Sequence, residues 1–273
     1  MSDIVILVTT HAKAARYLPA VREALDAFWP DRPPVRYLTD GGVEPAADIY
    51  IEDEREFVPL LAKGVARIKA EFPAATHVFH MLEDHCPLRT CDNSQFNAAL
   101  REATARNFVN VAFPTYDWPW DYCDPIDRPF GEREVWKSIE IIEAAETKFG
   151  VVPLDYFRYF QIQPTIWQID YLIGLLAAAA DRGIADPWKF ECMQLPKPRQ
   201  HYVSSYRWPT VHHGFLAQGK INAAAIKFVD TKAGRSIRRN LIKQAIGLKS
   251  ETLFDLNIMR LRVAARLARM MNH

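Results

Sequence analysis

Residues 3–10 read Asp-Ile-Val-Ile-Leu-Val-Thr-Thr, an unbroken apolar run rich in β-branched residues. A strand that is apolar at consecutive positions, rather than alternate ones, must be covered on both faces. That is the requirement of a parallel sheet with helices above and below it. Thr9, Thr10 and His11 then place polar groups at the carboxyl end of the strand.

The pattern continues in the same style. Residues 14–29 carry Leu18, Val21, Leu25 and Phe28 at helical spacing before Pro30 stops them. Residues 35–39 form a second strand that ends in Asp40 and the Gly41-Gly42 turn, and residues 48–51 form a third. Residues 55–71 read as a helix with Phe57, Leu60, Leu61, Val65 and Ile68 on one side, leading into a strand over 76–82. Residues 107–113 are a further strand. This alternation predicts an α/β fold with a doubly wound, mostly parallel sheet and helices on both faces.

The strand over 76–82 runs directly into Glu83-Asp84-His85, with Pro87 soon after. In open α/β sheets, ligands gather beyond the carboxyl ends of the strands. Two carboxylates and an imidazole at such a place suit a divalent cation of the manganese or magnesium type. The same triplet serves equally well as solvated or turn-capping side chains at a strand end.

Further along, residues 114–122 combine Tyr116, Asp117, Trp118, Trp120 and Asp121 around Pro119. Aromatic faces stack on sugars and bases while adjacent carboxylates bind hydroxyls, and the same rings also suit a small satellite core. Residues 163–176 pass from a strand or turn into an apolar helix. Asp186-Pro-Trp-Lys-Phe-Glu191 follows, a Pro-Trp platform that presents Glu191 beside Trp188 and Phe190. A carboxylate desolvated by such neighbours gains basicity; an ordinary helix-start glutamate is the alternative. His212 and His213 point to opposite sides of an extended chain, so one of them at most faces a given site. Gly219-Lys220 brings a flexible ammonium that a phosphate would accept.

The net charge of +1 conceals an asymmetry. Residues 231–273 hold ten Lys/Arg against two Asp/Glu, which makes them +8 and leaves −7 on the remainder. This tail is predicted to be helical, with Ile237, Leu241, Ile242 and Ile246 along one face and arginines around it. Helices of that kind lie on anionic membrane surfaces or pack on the domain with solvated basic rims. The acidic remainder argues against nucleic-acid binding. Cys86, Cys91, Cys123 and Cys192 lack zinc-type pairing, and no apolar run reaches transmembrane length. With no signal-peptide pattern, the expectation is a cytoplasmic protein with reduced thiols, peripheral at the inner face of the cell membrane through its tail.

In their order, these features resemble bacterial glycosyltransferases of the GT-A fold, particularly those of surface-polysaccharide synthesis. The resemblance rests on Val8-Thr-Thr-His11, Leu38-Thr-Asp40 and Val78-Phe-His-Met-Leu-Glu-Asp-His85. It continues in Ile166-Trp-Gln-Ile-Asp-Tyr-Leu172 and Asp186-Pro-Trp-Lys-Phe-Glu191. It covers residues 3–222 and implies a glycosyltransferase domain over 1–222, with the basic helical extension over 223–273.

The resemblance also implies roles. Thr9, His11 and Asp40 would line the pocket of a nucleotide-diphosphate sugar donor. Glu83, Asp84 and His85 would stand where the family carries an Asp-x-Asp motif that holds a divalent cation against the diphosphate, with His212 or His213 completing the ligands and Lys220 near a phosphate. Tyr116, Asp117, Trp118, Trp120 and Trp188 would meet a saccharide or lipid-linked acceptor. Glu191 would be the base of an inverting transfer. Acids and histidines at strand ends also serve metal-assisted phosphoryl hydrolases and nucleotidyltransferases, and a non-catalytic carbohydrate-binding protein would keep the same domain.

Overall fold

The computed structural model describes residues 3–41, 48–51, 54–113, 115, 151–154, 164–191, 201–204, 206, 208–210, 216–217, 220–221, 225 and 229. Eight strands form one sheet: β1 (Ile4–Thr10), β2 (Val35–Thr39), β3 (Ile49–Tyr50), β4 (His77–Leu82), β5 (Asn110–Ala112), β6 (Val151–Leu154), β7 (Thr165–Gln168) and β8 (His201–Ser204). Their spatial order is β3-β2-β1-β4-β7-β5-β8-β6. β1 pairs in parallel with both β2 and β4, β2 with β3, and β5 with β8. β7 runs antiparallel between β4 and β5, and β6 runs antiparallel to β8. The sheet is therefore mixed, with two reversed strands. A separate antiparallel pair joins β9 (Leu216–Ala217) and β10 (Lys220–Ile221).

The consecutive apolar residues of β1 divide between two cores, as the sequence requires. Ile4, Ile6 and Val8 face one core, which also takes Phe79 and Met81 of β4 and helices α1 (Leu18–Phe28) and α3 (Asn93–Ala105). Val5 and Leu7 face the other, with Val78, Trp167, α2 (Phe57–Glu71) and α4 (Ile169–Asp181). The first core is aromatic: Trp29, Phe79, Phe96, Phe113 and Trp208 pack mainly edge to face. Each such ring, fully buried, contributes roughly 2–3 kcal/mol before strain and entropy are counted. In the second core, Gly64 lets α2 settle on β2, because a Cβ there would lie 2.3 Å from Leu38 Cδ2.

Several boundaries differ from expectation for local reasons. The helix expected from 55 begins at Phe57. The strand expected over 107–113 shrinks to Asn110–Ala112, because Asn107 adopts a left-handed turn (φ 54°) just after α3. α3 itself begins at a cap in which the Asp92 carboxylate accepts the N–H groups of Ser94 (2.9 Å) and Gln95 (3.1 Å). Ala225 and Val229 are buried in the aromatic core, beyond the expected domain boundary at 222. Residues 116–122, 211–215 and 231–273 lie outside the described residues. Among the described residues, no helix is long and apolar enough to cross a membrane.

Candidate functional site

From β1 the chain builds outward to β2 and β3, then returns to the opposite side of β1 as β4. The reversal puts a topological switch point between β1 and β4, and their carboxyl ends flank the crevice where ligands bind in open α/β sheets. Register fixes what meets there. Thr10 pairs with Thr39, one residue before Asp40, and Thr9 pairs with Leu82, one residue before Glu83. Residues 9–11, 40 and 83–85 thus converge on one edge of the sheet.

Strand alternation sends the two threonines to opposite faces. Thr9 faces the second core, where its Oγ1 lies 3.0 Å from Nε2 of the buried His80. The His80 ring in turn packs edge-on to Phe57 at the start of α2, with centroids 6.2 Å apart. Thr10 faces the other way, and its hydroxyl is hydrogen-bonded to the Glu83 carboxyl. His11 is exposed at the rim.

Asp40 ties the β2 end to the β1 end: its Oδ1 accepts the N–H of Ala12. The Asp40 carbonyl accepts a hydrogen bond from the Arg55 guanidinium at 2.7 Å. That guanidinium lies over Gly41, where φ is +149° and a Cβ would meet Arg55 at 2.3 Å. The positive φ favours glycine there, whereas the end of the Arg55 side chain could move aside.

Glu83, Asp84 and His85 form one 3₁₀ turn. Within it, His85 Nδ1 lies 2.6 Å from Asp84 Oδ1, and the Asp84 side chain remains 21% exposed. Glu83 is buried. Desolvation, reinforced by the Asp84 charge, lifts its pKa from 4.5 to about 8, against the hydrogen bonds from the turn backbone and Thr10 that pull it down. Burial thus favours the neutral form of Glu83, and Asp84 is the more exposed acid of the turn.

The short helix α5 (Pro187–Glu191) carries Trp188 and Glu191. Asp186 caps it by accepting the Lys189 N–H at 3.1 Å, and Phe190 is buried in the second core. Glu191 stands at its carboxyl end, half-buried, and not at a helix start. The preceding Ala185 carbonyl accepts the Val58 N–H at 3.1 Å. α5 is thus joined to the amino end of α2, next to Phe57 and hence to His80 and Thr9.

Among the described residues, no three or more His, Cys, Asp or Glu side chains are grouped to hold a metal ion. Asp84 and His85 are engaged with each other and do not make a cation site on their own. His212, His213 and the aromatic loop with Tyr116, Asp117, Trp118 and Trp120 lie outside the described residues, and Lys220 is placed only by its backbone in β10. The sequence reading passed over Arg55, which closes the β2 end, and Trp208, whose indole N–H donates to the His85 carbonyl at 2.8 Å. The chain matches no protein-family model and no curated protein sequence.

Proposed function

We propose that the protein is a glycosyltransferase of GT-A type that moves a sugar from a nucleotide-diphosphate donor to a saccharide or lipid-linked acceptor in cell-surface polysaccharide synthesis. The observation that carries this reading is the meeting of Asp40, Thr10 and the Glu83–His85 turn at the β1/β4 switch point. Such a crevice takes nucleotides across strand ends. Burial of Glu83, which raises its pKa, lessens the repulsion that a diphosphate would meet at the turn.

In this reading Asp40 faces the nucleoside, and Asp84 with His85 face the diphosphate end of the donor. The acceptor hydroxyl oxygen attacks the anomeric carbon. The bond from that carbon to the diphosphate oxygen breaks, and its electron pair leaves with the nucleoside diphosphate. Glu191 takes the acceptor proton, in keeping with an inverting transfer; its half-buried place at the end of α5, the helix joined to the amino end of α2, supports that role. A divalent cation would neutralise the leaving diphosphate; Asp84 and His85 supply fewer donors than it needs, so no step is derived through it. The basic residues of 231–273 would hold the enzyme against an anionic membrane surface, where lipid-linked acceptors reside.

Calorimetric titration with uridine-, guanosine-, thymidine- and cytidine-diphosphate sugars, with and without manganese, tests the proposal. Saturable binding of one nucleotide class in preference to its free sugar supports it. Binding of free sugars alone would support a carbohydrate-binding protein, and release of inorganic phosphate without acceptor would support a hydrolase.

A further inference from the structure

Residues 206 and 208–210, more than a hundred positions downstream of the Glu83–His85 turn, lie strapped across it. The Trp208 indole N–H reaches the His85 carbonyl at 2.8 Å, the Pro209 carbonyl accepts the Leu88 N–H at 2.8 Å, and the Tyr206 hydroxyl accepts the Asp92 N–H at 2.8 Å. Tyr206 is also hydrogen-bonded to Cys91. Together these bonds hold both ends of the 85–92 segment, from the site turn to the cap of α3.

Trp208 is fully buried and cannot shift to follow a moving turn. Its ring is held by Phe79 (centroids 4.8 Å apart) and Trp29 (5.2 Å), and its backbone bridges to Thr115. Phe79 belongs to β4, the strand that delivers the turn. The turn is thus gripped from below by its own strand and from the side by the strap. His85 meanwhile holds Asp84 through its Nδ1, so fixing the His85 backbone also fixes the Asp84–His85 pair. Packing alone would not require a hydrogen bond aimed at this carbonyl.

We infer that Trp208 is a positioning residue: its indole N–H sets the orientation of the Asp84–His85 pair toward the donor diphosphate. This rests on the nucleotide-sugar reading of the site. Trp208→Phe keeps a buried ring but leaves the His85 carbonyl without its donor. A lost hydrogen bond with a buried acceptor left behind weakens what depends on it by about tenfold.

The test measures three quantities on parent and Trp208→Phe: melting temperature, affinity for the tightest-binding nucleotide sugar of the panel above, and amide hydrogen exchange. The expected result is a roughly tenfold weaker affinity at a melting temperature lowered by no more than ~5 °C, with faster exchange confined to residues 85–92. Unchanged affinity and exchange in a folded Trp208→Phe protein would overturn the inference, as would a uniform rise in exchange across β1 and β4. If that variant does not fold, Tyr206→Phe releases the other end of the strap, and donor affinity equal to the parent's in that protein overturns the inference as well. If the parent binds no nucleotide sugar, the functional reading falls. Hydrogen exchange then decides separately whether Trp208 holds the turn.

Discussion

The hydroxyl of Thr10, the last residue of β1, is hydrogen-bonded to the carboxyl of Glu83, the first residue after β4. The bond links the carboxyl ends of two parallel strands at a buried acid.

Because burial raises the Glu83 pKa, the folded protein holds this proton where the unfolded chain has released it. The ordinary value is 4.5 and the folded one about 8, so stability is fully present below the former and is lost as pH rises through the latter. Glu83→Gln keeps an acceptor for Thr10 and has no proton to lose. Thermal melts in chelator-containing buffer at pH 5, 6.5 and 8 should show the parent falling with pH and the variant holding nearly level. Parallel slopes would contradict the assignment.

His77, at the amino end of β4, titrates in the opposite sense. Burial lowers its pKa from 6.5, outweighing the pull of Asp3. A depressed base contributes stability above its unfolded value, and that stability is lost as pH falls through the folded one. His77→Gln should therefore flatten the melting temperature below pH 6.5, read in the same melts. A variant that loses stability with acid as steeply as the parent would count against this.

Asp40 holds the Ala12 N–H and so shapes the loop after β1. Asp40→Ala should cost about 1–3 kcal/mol in denaturant titration, the penalty for orphaning a buried donor. Asp40→Asn keeps a carbonyl oxygen and should recover most of it. Nucleotide affinity should fall in the alanine variant beyond what stability explains.

Glu191→Gln keeps shape and hydrogen-bonding reach but accepts no proton. Turnover should fall about a hundredfold or more, the scale of a positioned general base. Donor affinity and melting temperature should stay near the parent's. A folded variant that binds donor and turns over at the parental rate would remove Glu191 from the mechanism.

Removal of residues 231–273 should weaken binding to anionic vesicles, because each basic group near such a surface contributes about 1 kcal/mol. Nucleotide binding should persist. Equal vesicle binding by full-length and truncated protein would assign the tail to packing instead.

Much of the first half was legible because its patterns are local. The run at Ile4–Thr10 required two covered faces and has them, and Leu18, Val21, Leu25 and Phe28 all turn inward on α1. The polar residues at strand ends pointed to one edge. Less was readable where long-range pairing decides the outcome. Nothing local in Thr165–Gln168 says that it inserts antiparallel between β4 and β5, and nothing in Trp208 says that it will reach His85. α3 was missed although Asp92 and Gln95 form a recognisable cap, in which Gln95 Nε2 returns a bond to Asp92 Oδ2 at 2.9 Å. The weak apolar stripe of Phe96, Ala99 and Ala103 gave the helix little periodic signal. For the triplet, sequence supplied the ionisable groups but not their burial, which sets Glu83 apart from Asp84.

The most direct measurement is a paired calorimetric titration of the parent and Asp84→Ala with the preferred nucleotide sugar, each with and without manganese. Saturable donor binding by the parent and at least tenfold weaker binding by Asp84→Ala in the manganese buffer, at matched melting temperature, is the predicted result; the tenfold scale is that of one lost charged contact. Equal affinities for the two proteins in both buffers would show that the donor does not bind at the β1/β4 switch point.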